Sequence, residues 1–326
     1  MRFSTLLAAS VALAAASLSA MSVARAQAWP SKTIRIVVPF PPGGSVDALG
    51  RVFAARLQDQ LKQSVIIDNR GGAGGNLGAN VVAKSPGDGY TILLNINGQA
   101  ISPSIYKSLP YDADNDLVRV TQLVETSTVV VVNPKLPAQN LQEFIALAKS
   151  KPGVLNYGST GIGNALHLTM EMLKITAGID LQMVPFTGDA PLFNTLISGD
   201  IQAALVPTTT AKAHVESGAM RALAMTTAKR VPTWPDTPTI AEQGFPGFSV
   251  TGWIGFFAPA STPRDIVERI ARESKIAIDT PEVRLALKNL TLEPVGGTPD
   301  DFEKLYRADR AKFKKIIDDA KIPLQD

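Results

Sequence analysis

The stretch VVPFPPGGSVDALG, residues 37–50, decides the first part of the fold. Val37, Val38 and Phe40 close a buried strand that Pro39, Pro41 and Pro42 cut short, followed at once by Gly43 and Gly44. Helical spacing starts at Ser45 and puts Leu49, Phe53, Leu57 and Leu61 on one face. A strand that passes through a bare turn into a helix start leaves backbone N–H groups free. Such groups attract anions, and glycine lets a ligand approach them closely.

Outward from this point the pattern alternates. TIRIVVPF (33–40), SVIIDN (64–69) and YTILLNI (90–96) read as strands, with helices over 45–62 and 76–84. LVRVTQLVE and STVVVVNPK follow the acidic turn YDADND (111–116). Asn140 and Glu143 form a capping-box start for a helix with Leu141, Phe144, Ile145 and Ala148 inward. LNYGS (155–159), QMVPF (182–186), IQAALVP (201–207) and RALAMTT (221–227) read as strands separated by helices at 164–177, 190–198 and 210–217. VTGWIGFFAPA (250–260) is a further strand, and two or three helices end the chain, the last over 298–321. Strand–helix alternation of this kind predicts an α/β protein with mainly parallel sheets.

The glycine turn recurs in the second half as GSTGIGN, residues 158–164, after LNY. Two such turns facing a shared cleft would make a two-jawed anion site of backbone N–H groups and hydroxyls. Ser45, Asn97, Ser159, Thr160, Asn164, Thr187 and Thr208 all fall just after predicted strands, where open α/β sheets bind ligands. Each of these residue types also caps helices. Asp47 fits the first turn of its helix better than a ligand contact.

Composition narrows the classes. Residues 1–26 read as a secretory signal peptide: Arg2, a short apolar core from Leu6 to Leu18, and an A-x-A exit at Ala24 to Ala26, with cleavage after Ala26. Without it, 30 basic residues face 29 acidic ones, which argues against nucleic acid and anionic membranes as partners. The chain has no cysteine, so neither disulfides nor thiol chemistry enter. Of the two histidines, neither His167 nor His214 sits in a metal or hydrolase motif, and Ser159 lies in YGSTG rather than a nucleophile elbow. GGAGGNLG (71–78) lacks dinucleotide or P-loop spacing and reads as a turn, with Arg70 as an ion-pair partner. No enzyme, metal or cofactor is expected.

From Trp29-Pro30 through IRIVVPFPPGGSVD and IIDNRGGAGGNLGANVVAKSPGDGYTIL, the chain resembles the Bug (TctC-like) family, the periplasmic solute-binding proteins of tripartite tricarboxylate transporters. LPYDADND, LQEFIALAKSKPGVLNYGSTGIG, VPFTGDAPLFNTLISGDIQAAL, PDTPTIAEQGFPGF and GWIGFFAPASTP extend the match over the chain beyond the leader. The resemblance implies a two-lobe, type II periplasmic-binding-protein fold of the Venus-flytrap kind. Lobe one would be 27–126 with 250–326 and lobe two 127–249, with crossings near 126–128 and 248–252. It also implies a small carboxylate ligand held by amides and hydroxyls of the two loops. Those loops are Phe40 to Asp47, including Pro41, Gly43 and Gly44, and Ser159 to Asn164, including Gly163. Membrane permease subunits would be the partners of a monomeric receptor; the alternative is a sensory protein signalling to a membrane histidine kinase. One departure stands out: Asp189 occupies the GDAP turn where a small residue is expected, either to cap the following helix or to face the ligand.

Overall fold

The structure, a computed structural model, describes residues 29–326; the expected signal peptide lies outside the described residues. β1 (Ile34–Val38) runs through the glycine turn into α1 (Ser45–Leu61), followed by β2 (Val65–Asn69), α2 (Asn76–Ala83), β3 (Thr91–Ile96) and α3 (Gly98–Ile105). β4 (Leu117–Thr126) is separated from β5 (Thr128–Val132) by Ser127 alone. Then come α4 (Leu141–Ser150), β6 (Asn156–Ser159), α5 (Ala165–Ala177), β7 (Gln182–Pro185), α6 (Asp189–Ser198), β8 (Ala203–Pro207), α7 (Thr208–Glu216) and β9 (Arg221–Met225). β10 (Gly252–Pro259), α8 (Arg264–Ile278), α9 (Pro281–Asn289), β11 (Glu293–Pro294) and α10 (Pro299–Asp319) complete the chain.

The strands form two sheets, in the orders β11-β4-β10-β3-β1-β2 and β7-β6-β8-β5-β9. Both are mixed. The strand–helix–strand units pair in parallel: β1 with β2 and β3, and β6 with β7 and β8. β4, β5, β9 and β10, which flank the passages between the sheets, pair antiparallel.

Helices cover both faces of each sheet, and the strands are apolar on both sides for that reason. In β1, Ile34, Ile36 and Val38 pack with Leu49, Phe53 and Leu57 of α1, while Val37 faces Val82, Trp253 and Tyr306. In β5, Val130 and Val132 face one core and Val129 and Val131 another. Burying such side chains contributes about 1.5–3 kcal/mol each, which holds the strands in register.

The cores do not follow the sheet division everywhere. α10 starts at a capping box between Thr298 and Asp301 and packs Phe302 and Tyr306 against Trp253 and Phe257 of the first sheet. Its last turns send Phe313, Ile316 and Ile317 into the core of the second sheet, joined there by Ile101 and Ile105 of α3. Past α10, the Gln325 N–H donates to the Ile105 carbonyl at 2.7 Å, and the Lys107 N–H to the Gln325 carbonyl at 2.9 Å.

The passages between the sheets are pinned together. The Thr208 N–H donates to the Ser127 carbonyl at 3.0 Å, and their hydroxyls lie 3.0 Å apart. The Thr128 and Thr226 hydroxyls are 2.7 Å apart, and Thr226 also donates to the Val250 carbonyl at 2.7 Å.

Candidate functional site

The cleft between the sheets holds two adjoining compartments of about 270 Å³ and about 440 Å³. Asn97, Ile96, Asn164 and Ala165 line both, so the two form one continuous space. The smaller lies between Phe40 and α3 on one side and Thr160 to Ala165 on the other. The larger is bounded by Ser45, the Thr126 to Thr128 passage, Asp189, Thr210 and Trp253.

Five helices begin at this cleft, each contributing a residue of its first turn: Ser45 of α1, Gly98 of α3, Ala165 of α5, Asp189 of α6 and Thr209 of α7. Four of the five, α1, α3, α6 and α7, carry no side-chain cap. Only α5 is capped, with Asn164 Oδ1 accepting the His167 N–H at 2.8 Å. Uncapped helix starts leave N–H groups and the positive end of the helix dipole available to an anion. Among the described residues no lysine or arginine lines either compartment, and Asp189 is the one charged side chain there.

Both glycine turns are held by the same device. In the first, Gly43 has φ +90° and its N–H donates to Asp47 Oδ2 at 2.9 Å. Asp47 is buried and also accepts from Arg51 Nε at 2.9 Å and Asn69 Nδ2 at 3.0 Å. Hydrogen bonding from Arg51 holds its carboxyl down at about 2, against the cost of burial. In the second, Gly163 has φ +75° and its N–H donates to His167 Nδ1 at 2.9 Å. His167 is buried and stacked on Tyr157; burial pushes its imidazole below the ordinary value, so Nδ1 is free to accept.

The residues expected from sequence divide accordingly. Phe40, Ser45, Asn97, Thr160, Gly163, Asn164 and Asp189 line the cleft. The Asn97 side chain is buried and makes no hydrogen bond within the described residues, leaving its amide to the cleft. Pro41, Gly43, Gly44 and Thr187 lie outside both compartments on exposed surface. Asp47 supports the first turn from inside the lobe. Ser159 is buried and donates to the Gly161 carbonyl at 3.2 Å, and Thr208 is committed to Ser127. Asp189 does not cap α6: the cap position is Gly188, and the Asp189 carboxylate accepts no cap hydrogen bond because it stands one residue inside the helix.

Sequence reasoning missed α3, whose Gly98, Ser102 and Ile105 line the smaller compartment. Asn97-Gly98 after a strand was its one signal, and Pro103 inside the helix hid it. It also missed Gln325, whose side-chain amide reaches the Ile162 carbonyl at the rim.

Residues 49–322 match the tripartite tricarboxylate transporter family receptor. Protein BugT of Bordetella pertussis is 36% identical over 277 residues, covering 84% of this chain and 85% of that protein. The structure of Rpa4515 of R. palustris with adipate superposes with a TM-score of 0.79 at 34% identity, covering 91% of this chain and all of that one. MatC of Rhodopseudomonas palustris with bound malate gives 0.74 at 29% identity, over 89% of this chain and 100% of that one. The chain belongs to the tripartite tricarboxylate transporter receptor (TctC/Bug) family of periplasmic binding proteins.

Proposed function

We propose that this chain is a periplasmic receptor that takes up a small carboxylate between two lobes and delivers it to the membrane permease of a tripartite tricarboxylate transporter. The observation that carries the reading is the convergence of four uncapped helix starts on a cleft lined by no lysine or arginine among the described residues. Aligned N–H groups can hold a carboxylate without a guanidinium clamp, and such a site releases its ligand more readily than a buried ion pair would. Relatives that hold adipate and malate support a carboxylate as the ligand class.

In this reading lobe one comprises residues up to 126 and from 250 onward, and lobe two residues 127–249. The ligand contacts are Phe40, Ser45, Asn97, Thr160, Gly163 and Asn164, drawn from both lobes. Closure over the ligand follows because only the closed form brings both sets of N–H groups to one anion.

Native mass spectrometry of the periplasmic protein, followed by a thermal-shift screen of small carboxylates, tests the proposal. A concentration-dependent rise in melting temperature with at least one carboxylate is expected. Failure of every carboxylate to stabilise the protein, or turnover of one that binds, would overturn it. Loss of solute uptake on gene disruption supports delivery to a permease; loss of transcriptional induction with uptake intact would indicate sensing instead.

A further inference from the structure

Among the described residues, the carboxylates that are fully buried and ion-paired set a standard that Asp189 does not meet. Asp47 is met by Arg51, Glu171 by Lys174, Glu273 by Arg269 and Asp309 by Lys312. Asp189 is half-buried, makes no ion pair within the described residues, caps no helix, and faces the larger compartment. Among the described residues it is the one ionisable side chain lining that compartment. The smaller compartment has no charged side chain among the described residues. The larger compartment therefore carries both signs: the starts of α1, α6 and α7 offer N–H donors to it, Asp189 stands in its wall as a carboxylate, and the Asn97 amide sits at its border with the smaller compartment.

We propose that Asp189 sets the identity of the ligand's second end, selecting carboxylates that carry an ammonium group and rejecting dicarboxylates. The proposal rests on the reading of the cleft as a carboxylate site. The ligand carboxylate takes the helix starts at the shared border, and the ammonium takes Asp189. A cation there supplies the partner that the fold withholds. A second ligand carboxylate would instead meet a like charge inside a cleft partly screened from water. Burial already pushes the Asp189 carboxyl above its ordinary value, and the Thr210 hydroxyl beside it offsets only part of this.

Isothermal titration with pairs matched in methylene count tests the assignment: succinate with β-alanine, glutarate with γ-aminobutyrate, adipate with δ-aminovalerate. In the pair whose length fits, the amino member should bind at least about tenfold tighter to the wild-type chain. Asp189→Asn and Asp189→Ser should remove that preference or invert it, with thermal unfolding confirming that both variants fold. Equal or tighter binding of the dicarboxylate by the wild-type chain, or an unchanged ratio in both variants, overturns the role of Asp189 while leaving the carboxylate site standing. Binding of neither member of any pair, by wild type or variants, also overturns the role of Asp189, and the carboxylate site falls with it only where the wider thermal-shift screen finds no stabilising carboxylate.

Discussion

His167 Nδ1 accepts the N–H of Gly163 at 2.9 Å, four residues before it in the chain, and so fixes the left-handed turn from which α5 starts. Asp47 does the same for Gly43 ahead of α1, at 2.9 Å. Two unrelated side-chain chemistries thus perform one task, satisfying the glycine amide from one turn into the following helix. Among the described residues nothing accepts from the N–H groups of Gly44 and Ser45 in the first turn or of Gly161 and Ile162 in the second. A ligand-binding loop must be rigid without consuming the donors it offers, and an acceptor behind the loop meets both demands.

Replacing His167 by Ala should strand the buried Gly163 N–H and cost about 1–3 kcal/mol of stability, with a parallel loss of carboxylate affinity. His167→Asn, whose Oδ1 stands near the place of Nδ1, should restore most of both. Urea unfolding and titration calorimetry on the two variants measure this; equal losses would remove the hydrogen bond from the account.

The same histidine predicts a pH dependence. Burial lowers its pKa from 6.5, so the unfolded chain binds the proton first as pH falls. The stability supplied by the neutral ring is complete above about 6.5 and is lost progressively below it, toward the folded value. The slope of unfolding free energy against pH in that window should flatten in His167→Asn, which does not titrate.

Asp47 gives the opposite end of the scale. With its carboxyl near 2 in the folded chain, its contribution is whole above about 3.8 and disappears as pH falls through about 2. Asp47→Ala should cost about 1–3 kcal/mol at neutral pH through the bonds lost to Gly43, Arg51 and Asn69. The acid-unfolding midpoint should move upward if Asp47 is a support of the turn, and not at all if it is a bystander.

Gly163→Ala combines two penalties. Its φ of +75° disfavours any side chain, and a Cβ would stand 2.5 Å from Ile105 Cγ1. A loss of about 1–3 kcal/mol is expected. Adding Ile105→Ala, which removes Cγ1, should return the steric part only, so the double variant should lie between Gly163→Ala and wild type in thermal unfolding once the cost of Ile105→Ala alone is subtracted.

Trp253 lies at the start of β10 with its Nε1–H on Asp309 Oδ2 at 2.8 Å and its ring edge-on to Phe302. In a chain with Trp29 and Trp234 replaced by Phe, its emission should be that of a buried indole and resist iodide quenching. Asp309→Ala should shift it to longer wavelength and lower the melting temperature. An emission maximum unchanged in the variant would show that the hydrogen bond does not hold the ring.

The alternation of strand and helix was legible because each strand is covered on both faces. Runs such as Val129 to Val132 are apolar throughout and bounded by turn residues. Both glycine turns were legible for the same reason that they matter, since few other residues tolerate φ near +90°. The roles of Ser, Thr and Asn were not. Thr208 ties Ser127, Asn164 caps α5 and Asn97 faces the cleft bare, yet all three follow a strand. What separates them is which neighbour arrives in space, and periodicity carries no record of that. The path of α10 through two cores was hidden likewise, because Phe302 and Phe313 share one amphipathic pattern.

β10 lies between β3 and β4, which have no other connection within their sheet; β4 otherwise pairs only with the two-residue β11. A chain emerging from its N-terminus has therefore made all five strands of the second sheet before the strand that unites the first. Until Gly252 to Pro259 are added, β4 stays detached from β1, β2 and β3, its backbone donors and acceptors open to other chains. The second sheet can assemble from one unbroken run of residues, whereas the first must wait for a late insertion at its centre. Molecules cut short before Gly252 would lack the strand that joins the two halves of the first sheet, with β4 left as an open edge.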